Sequence, residues 1–216
     1  MKHASTQAVY GYWNEQRGAR SAPERGDIDP ADIRRALGDT IMLAADFVDR
    51  WRFRLAGTRV CALFNREIKG EVLSSLWREA DQTTIENLTA TITGESVGAV
   101  LGITGRAADG AEVDLEMLLL PLAHSGHARV RALGVLAPLT PPFWLGSKPL
   151  TELQLTALRH VGPEIDAFGA GLTLAPAQTP AVDAAEPAAL REGGRLRRGF
   201  VVYSGGREVP ADEKIG

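Results

Sequence analysis

Trp51-Arg52-Phe53-Arg54-Leu55-Ala56-Gly57-Thr58 is the stretch on which the fold turns. Its first five residues alternate large apolar with basic side chains, the period of a half-buried antiparallel strand. Trp51, Phe53 and Leu55 are thereby assigned to the buried face, and Arg54 to solvent or to a partner. From Ala56 to Phe64 the apolar spacing shifts toward that of a helix. Gly57 is expected to take a backbone angle that other residues resist, redirecting the strand into this covering helix. Thr58 is expected to cap it. Asn65 to Gly70 reads as a turn or a short helical piece.

Working outward, Thr40 to Ala44 reads as a strand joined to the first by the turn-prone Asp46–Arg50 region. Residues 5–20 are helix-compatible, with Val9 and Trp13 four apart on one face. A second helix is expected at Asp29-Pro30, with Asp29 as cap, Pro30 at the first position, Ile33 and Leu37 buried, and Gly38 closing it. Downstream, residues 74–93 form the longest helical candidate, with Leu76, Trp77, Ile85, Leu88 and Ile92 apolar. Three strands follow, Val97–Ala107, Glu112–Leu120 and Arg129–Leu139, and Asp109-Gly110 marks a hairpin between the first two. The pattern predicts an α+β domain with a five-stranded antiparallel sheet and helices inserted between strands two and three.

This organisation divides the chain into an N-terminal helical segment (1–27), the α+β domain (28–144), a peripheral helical segment (145–174), a flexible linker (175–195) and a C-terminal strand and tail (196–216). In the third of these, Leu150 to Phe168 reads as a helix that Gly162-Pro163 breaks or bends. The linker is rich in Ala, Pro, Glu and Thr.

Composition narrows the function classes. The chain has 216 residues, 44% hydrophobic and 24% charged, with a formal net charge of −3, enough to bury a core and too evenly mixed to mark a nucleic-acid or membrane footprint. The single cysteine, Cys61, excludes an intramolecular disulfide and a cysteine-rich zinc site. The polar N-terminus shows no apolar leader, and no run approaches the roughly 20 apolar residues of a spanning helix, so a soluble cytoplasmic protein is expected.

The order strand, strand, short helices, longer helix, three strands is that of a PAS domain, and the motifs agree. Phe53-Arg54-Leu55-Ala56-Gly57-Thr58, then Cys61-Ala62-Leu63-Phe64 and Arg66-Glu67-Ile68-Lys69-Gly70, resemble a family of small alphaproteobacterial stand-alone PAS proteins, with Trp77 matching a downstream tryptophan. Asn65 stands where that family usually has glycine. The resemblance spans about residues 13–144 and implies a sensory fold. Phe53, Gly57, Thr58, Gly70 and Trp77 are read first as fold-determining, because patterned motifs usually encode packing.

The resemblance also directs attention to a pocket between sheet and helices. Flavin photosensors of this fold carry a cysteine on the helix after the conserved turn. Here Glu71-Val72-Leu73 follow Gly70 without a thiol, and Cys61 precedes the turn, where it reads as a small buried hydrophobe. A haem ligand is expected from the long helix, and residues 74–95 hold no histidine or cysteine. No cofactor is therefore predicted. An apolar metabolite and a fully packed core both remain open, with the packed core preferred.

Other polar groups have plainer readings. His124 and His127 suit an exposed hairpin loop better than a metal site, and His160 a surface position. Asp27, Asp29 and Asp32 are explained by helix capping more simply than by acid–base chemistry. Arg191, Arg195, Arg197 and Arg198 read as a solvated tail. No nucleophile elbow, P-loop or dinucleotide fingerprint occurs.

The leading expectation is a non-catalytic regulatory module that works through protein–protein contact, as a homodimer and on a separate signalling protein. Val9, Trp13 and Arg54 are its candidate interface. The two helix residues must be covered either by the sheet or by a second subunit. A sensor of a small apolar ligand is the alternative, and an enzyme is ranked below both.

Overall fold

In a computed structural model of the chain, residues 1–46, 50–123, 131–162, 173–174, 194–197 and 200–203 are described. Met1–Gln178 forms one compact unit and Thr179–Gly216 a second. The first is built on an antiparallel sheet of order β2-β1-β5-β4-β3-β6-β7. Its strands are β1 (Thr40–Ala45), β2 (Trp51–Ala56), β3 (Gly98–Ala107), β4 (Glu112–Leu122), β5 (Arg131–Pro138), β6 (Leu150–Val161) and the two-residue β7 (Thr173–Leu174). Three helices accompany them: α1 (Ala4–Arg17), α2 (Thr58–Phe64) and α3 (Glu79–Gly94). In the second unit, β8 (Gly194–Arg197) and β9 (Phe200–Tyr203) pair as a separate antiparallel hairpin.

The α+β class and the inserted helices agree with expectation. The sheet is larger than five strands, because residues 150–161 form β6 along the edge of β3 and not a peripheral helix. Its buried leucines, Leu150, Leu153 and Leu158, are spaced three and five apart, close to a helical rhythm. The cause is two shifts of register against β3, which leave Thr151 and Thr156 as extra residues. Each extra residue reverses the alternation, so leucines that look helical in the sequence share one face of a strand.

The sheet is covered on both faces. The inner face, with Ile41, Leu43, Phe53, Leu101, Leu115 and Met117, packs on α2 and α3 and on the short 3-10 turn Leu73–Leu76 between them. The outer face, with Leu118, Leu120, Leu133 and Val135, packs on α1 and on the chain from Ala22 to Ala36. Both faces are buried in β4, where the run from Leu115 to Leu122 is apolar except for Glu116. Such a continuous run is the mark of a strand covered on both sides.

The helix expected at Asp29-Pro30 is absent: the chain runs through turns, with Ala36 N–H donating to Ile33 O at 2.8 Å, into a 3-10 turn at Leu37–Asp39. Asp29 still caps, accepting from Ala31 N–H at 2.8 Å, but what it caps is a turn. Ile33 is buried as expected, and Leu37 only half so. The hairpin at Asp109-Gly110 is present, with Gly110 at φ 84° and its N–H donating to Ala107 O at 2.9 Å. His124 and His127, and all of the 175–195 segment before β8, lie outside the described residues. Among the described residues no helix is long and apolar enough to cross a membrane.

Candidate functional site

Gly57 and Arg59 follow β2 and interlock with the Leu37-Gly38-Asp39 turn that precedes β1. The backbone of Gly57 is ordinary, φ −64° and ψ 160°, so no special angle demands glycine there. The demand is steric. A Cβ at position 57 would lie 2.2 Å from Leu37 O and 2.3 Å from Gly38 O, while Gly57 N–H donates to Thr40 O at 2.8 Å. Gly57, not Thr58, is the N-cap of α2, and no side chain caps that helix. At the far end of α2, Asn65 adopts a left-handed φ of 50°, which asparagine tolerates better than most residues. Gly70, at φ 89°, closes the turn that follows.

The close approach at Gly57 brings Arg59 over Gly38 and onto Asp39. Arg59 Nε donates to Asp39 Oδ1 at 2.6 Å and Nη2 to Oδ2 at 2.8 Å. The same Oδ2 accepts from Ser5 Oγ at 2.6 Å. Asp39 is only 3% exposed, and a buried carboxylate persists only when paired in this manner. Burial pushes its pKa up, but the hydrogen bonds from Arg59 and Ser5 together with the charge of Arg59 outweigh burial and hold it below the usual carboxylate range.

A second buried carboxylate completes the clamp. Glu116, on β4, accepts from Lys2 N–H at 3.0 and 2.7 Å and from His3 N–H at 3.0 Å. His3 itself is the N-cap of α1, its Nδ1 accepting from Ser5 N–H at 3.1 Å. The start of α1 is thus fixed by polar contacts to the sheet and to the β2–α2 motif. A cleft of about 450 Å³ opens beside it, lined by His3, Ser5, Asp39, Arg59, Leu63 and Leu145, among others. The arrangement anchors a helix and couples it to the motif.

Val9 and Trp13 are fully buried in the outer-face core, and the Trp13 indole N–H donates to Pro121 O at 2.8 Å. Of the two covers open to them, the structure shows the sheet. Arg54 is exposed as expected, but Leu55 departs from the alternation. Met42 pairs with Leu55 and Leu43 with Phe53, leaving Arg54 as a bulge. The strand reverses its faces there, so Phe53 is fully buried while Leu55 is 45% exposed.

Trp77 is buried in the inner core, where its indole nitrogen has no hydrogen-bond partner. Cys61 is half-buried, its thiol 3.6 Å from Glu67 Oε2, and burial pushes its pKa up. His160 lies on β6 and is half-buried, away from the surface position expected of it. Asp39, Arg59, Ser5 and Glu116 were not singled out by the sequence reading. Arg59 follows the Gly57-Thr58 motif directly, which is the one signal that pointed to it. Asp39 lies 20 residues from Arg59, and Ser5 lies 34 from Asp39, beyond the reach of local pattern.

A family model described as PAS domain matches residues 1–137. No curated protein matches the chain significantly.

Proposed function

The chain belongs to the PAS-domain family, and we propose that it is a non-catalytic sensory or regulatory module that works through protein–protein contact, pairing with a second copy and acting on a separate signalling protein. The resemblance of the FRLAGT block to that of small alphaproteobacterial PAS proteins supports this reading, and the cytoplasm is the compartment we propose for it. The observation that carries this reading is Leu55. The bulge at Arg54 turns a large apolar side chain out of the core onto the outer face, beside the half-buried Met42. A bulge that holds Leu55 outward beside the half-buried Met42 supports a contact surface at this place. Val9 and Trp13 support the interface only indirectly, by anchoring α1 over β4 and β5.

The test is the mass in solution of the full chain and of Leu55→Glu. Twice the chain mass for the wild type and the single-chain mass for the variant are expected. A wild type that stays single at high concentration overturns the pairing.

A second reading, a small ligand of mainly apolar character within the sheet–helix core, is favoured by the unpartnered Trp77 indole N–H. A buried donor without an acceptor costs about 1–3 kcal/mol, which a ligand acceptor would recover. Mass spectrometry of a denatured extract tests it, and an extract free of stoichiometric small molecules counts against it.

A further inference from the structure

On the outer face, a hollow of about 470 Å³ is lined by Arg25, Met42, Ala44, Arg54 and Arg131. We infer that it is a binding site for a small phosphate-bearing molecule, with the phosphate held among the three guanidinium groups and the organic part lying on Met42 and Ala44. This goes beyond the pairing proposed above; it needs no second copy, and it shares Met42 and the Arg54 bulge with the contact at Leu55.

The three arginines come from separate parts of the chain: Arg25 from the 3-10 turn after α1, Arg54 from the bulge of β2 and Arg131 from the first position of β5. The sheet register places Arg131: Ala44 pairs with it on one side and with Arg52 on the other, so Ala44, Arg131 and Arg52 share the outer face. The Arg54 bulge adds a further guanidinium between that row and the next, which holds Met42 and Leu55.

The charges of this cluster are not spent within the described protein. Arg25 donates to the Ile28 carbonyl at 3.2 Å, which neutralises nothing. Among the described residues, neither Arg54 nor Arg131 has a carboxylate partner. The nearest row does hold an acid, Asp46, but Arg52 Nε at 2.9 Å and Arg50 Nε at 3.5 Å already claim it. Three like charges gathered around one hollow repel, and in a chain of net charge −3 their gathering calls for a counter-charge. Guanidinium forks match the oxygens of a phosphate in paired hydrogen bonds. The volume falls in the usual range for small-molecule sites, and the apolar floor gives an organic group something to lie on.

The experiment is titration calorimetry of the full chain with pyrophosphate, in low-salt buffer free of other polyanions. Citrate is the second probe, with comparable charge but no phosphate. Saturable binding of one pyrophosphate per chain is expected at concentrations where the chain is single, because Met42 and Arg54 adjoin Leu55, the contact proposed for pairing. Arg54→Gln and Arg131→Gln should each weaken it at least tenfold, Arg34→Gln should leave it unchanged, and citrate should bind more weakly. All three are exposed positions, and melting curves confirm that the variants fold. Absence of saturable binding to the wild type overturns the site, as does unchanged binding in the Arg54→Gln/Arg131→Gln double variant. Citrate binding as tightly as pyrophosphate overturns the phosphate assignment.

Discussion

The guanidinium of Arg59 holds the carboxylate of Asp39 through two bonds, Nε to Oδ1 at 2.6 Å and Nη2 to Oδ2 at 2.8 Å, and the pair ties the β2–α2 motif to the turn before β1. Because the folded-state pKa of Asp39 is depressed below its ordinary value of 3.8, folding is favoured wherever the carboxylate is ionised in both states. That contribution is fully present above 3.8 and is lost as the pH falls through the lower folded value. Acid unfolding of wild type and Asp39→Asn checks this. The variant should be less stable at neutral pH and should lose less stability on acidification. Arg59→Met, which strands a buried carboxylate, should cost about 2 kcal/mol, a figure that allows for the half-exposed guanidinium being screened by water.

Three glycines near this pair should respond differently to alanine. At position 57 the new Cβ meets two backbone oxygens that cannot move aside, so Gly57→Ala should destabilise by about 3 kcal/mol or more. At position 38 it meets only the Arg59 guanidinium, at 2.7 Å, so Gly38→Ala should displace that side chain and mimic Arg59→Met. At position 70 nothing lies within 4 Å, and the cost is that of a left-handed backbone, about 1–2 kcal/mol. Chemical denaturation of the three variants gives the ranking. A Gly57→Ala protein as stable as wild type would contradict the interlock.

The strand character of Trp51–Phe53, the hairpin at Asp109-Gly110, the Val9–Trp13 face of α1 and the Ile85–Leu88–Ile92 face of α3 were legible in the sequence from their local patterns. The helix expected from residue 74, by contrast, begins only at Glu79, leaving Leu76 in a 3-10 turn and Trp77 just after it. Two of the errors, at Leu55 and in β6, share one physical origin. A bulge costs the sequence no visible mark, yet it reverses every side chain beyond it. One bulge turned Leu55 outward, and two more in β6 gave its leucines a helical rhythm. The buried clamp escaped for another reason: local pattern cannot show that Ser5, Asp39, Arg59 and Glu116 converge. At Gly57 the constraint is close packing and not the unusual backbone angle expected of it.

The bulge itself makes a quantitative contrast between neighbours. Phe53→Ala removes a fully buried aromatic ring and should cost about 3–5 kcal/mol. Leu55→Ser, two residues on, should change the stability of the single chain by no more than about 0.5 kcal/mol. A strictly alternating strand would make the two losses comparable. Denaturant midpoints measured at low protein concentration, where any pairing is dissolved, distinguish the cases.

The family match ends at residue 137, before β6 begins, yet the core does not end there. Leu150, Leu153 and Leu158 are buried in the inner cluster. Arg78 N–H donates to Leu153 O at 3.0 Å, and Leu155 N–H donates to Asp81 Oδ2 at 2.8 Å, so β6 also holds the start of α3. Asp81 is buried and receives Arg78 Nε at 2.7 Å as well. A chain ending at residue 145 would expose the edge of β3 and the apolar groups beneath it. It should aggregate or melt far below the full chain, whereas one ending at residue 178 should keep the wild-type transition. Leu153→Ala, in the full chain, should cost about 2–5 kcal/mol, and a loss near zero would show that β6 is an appendage and not part of the core.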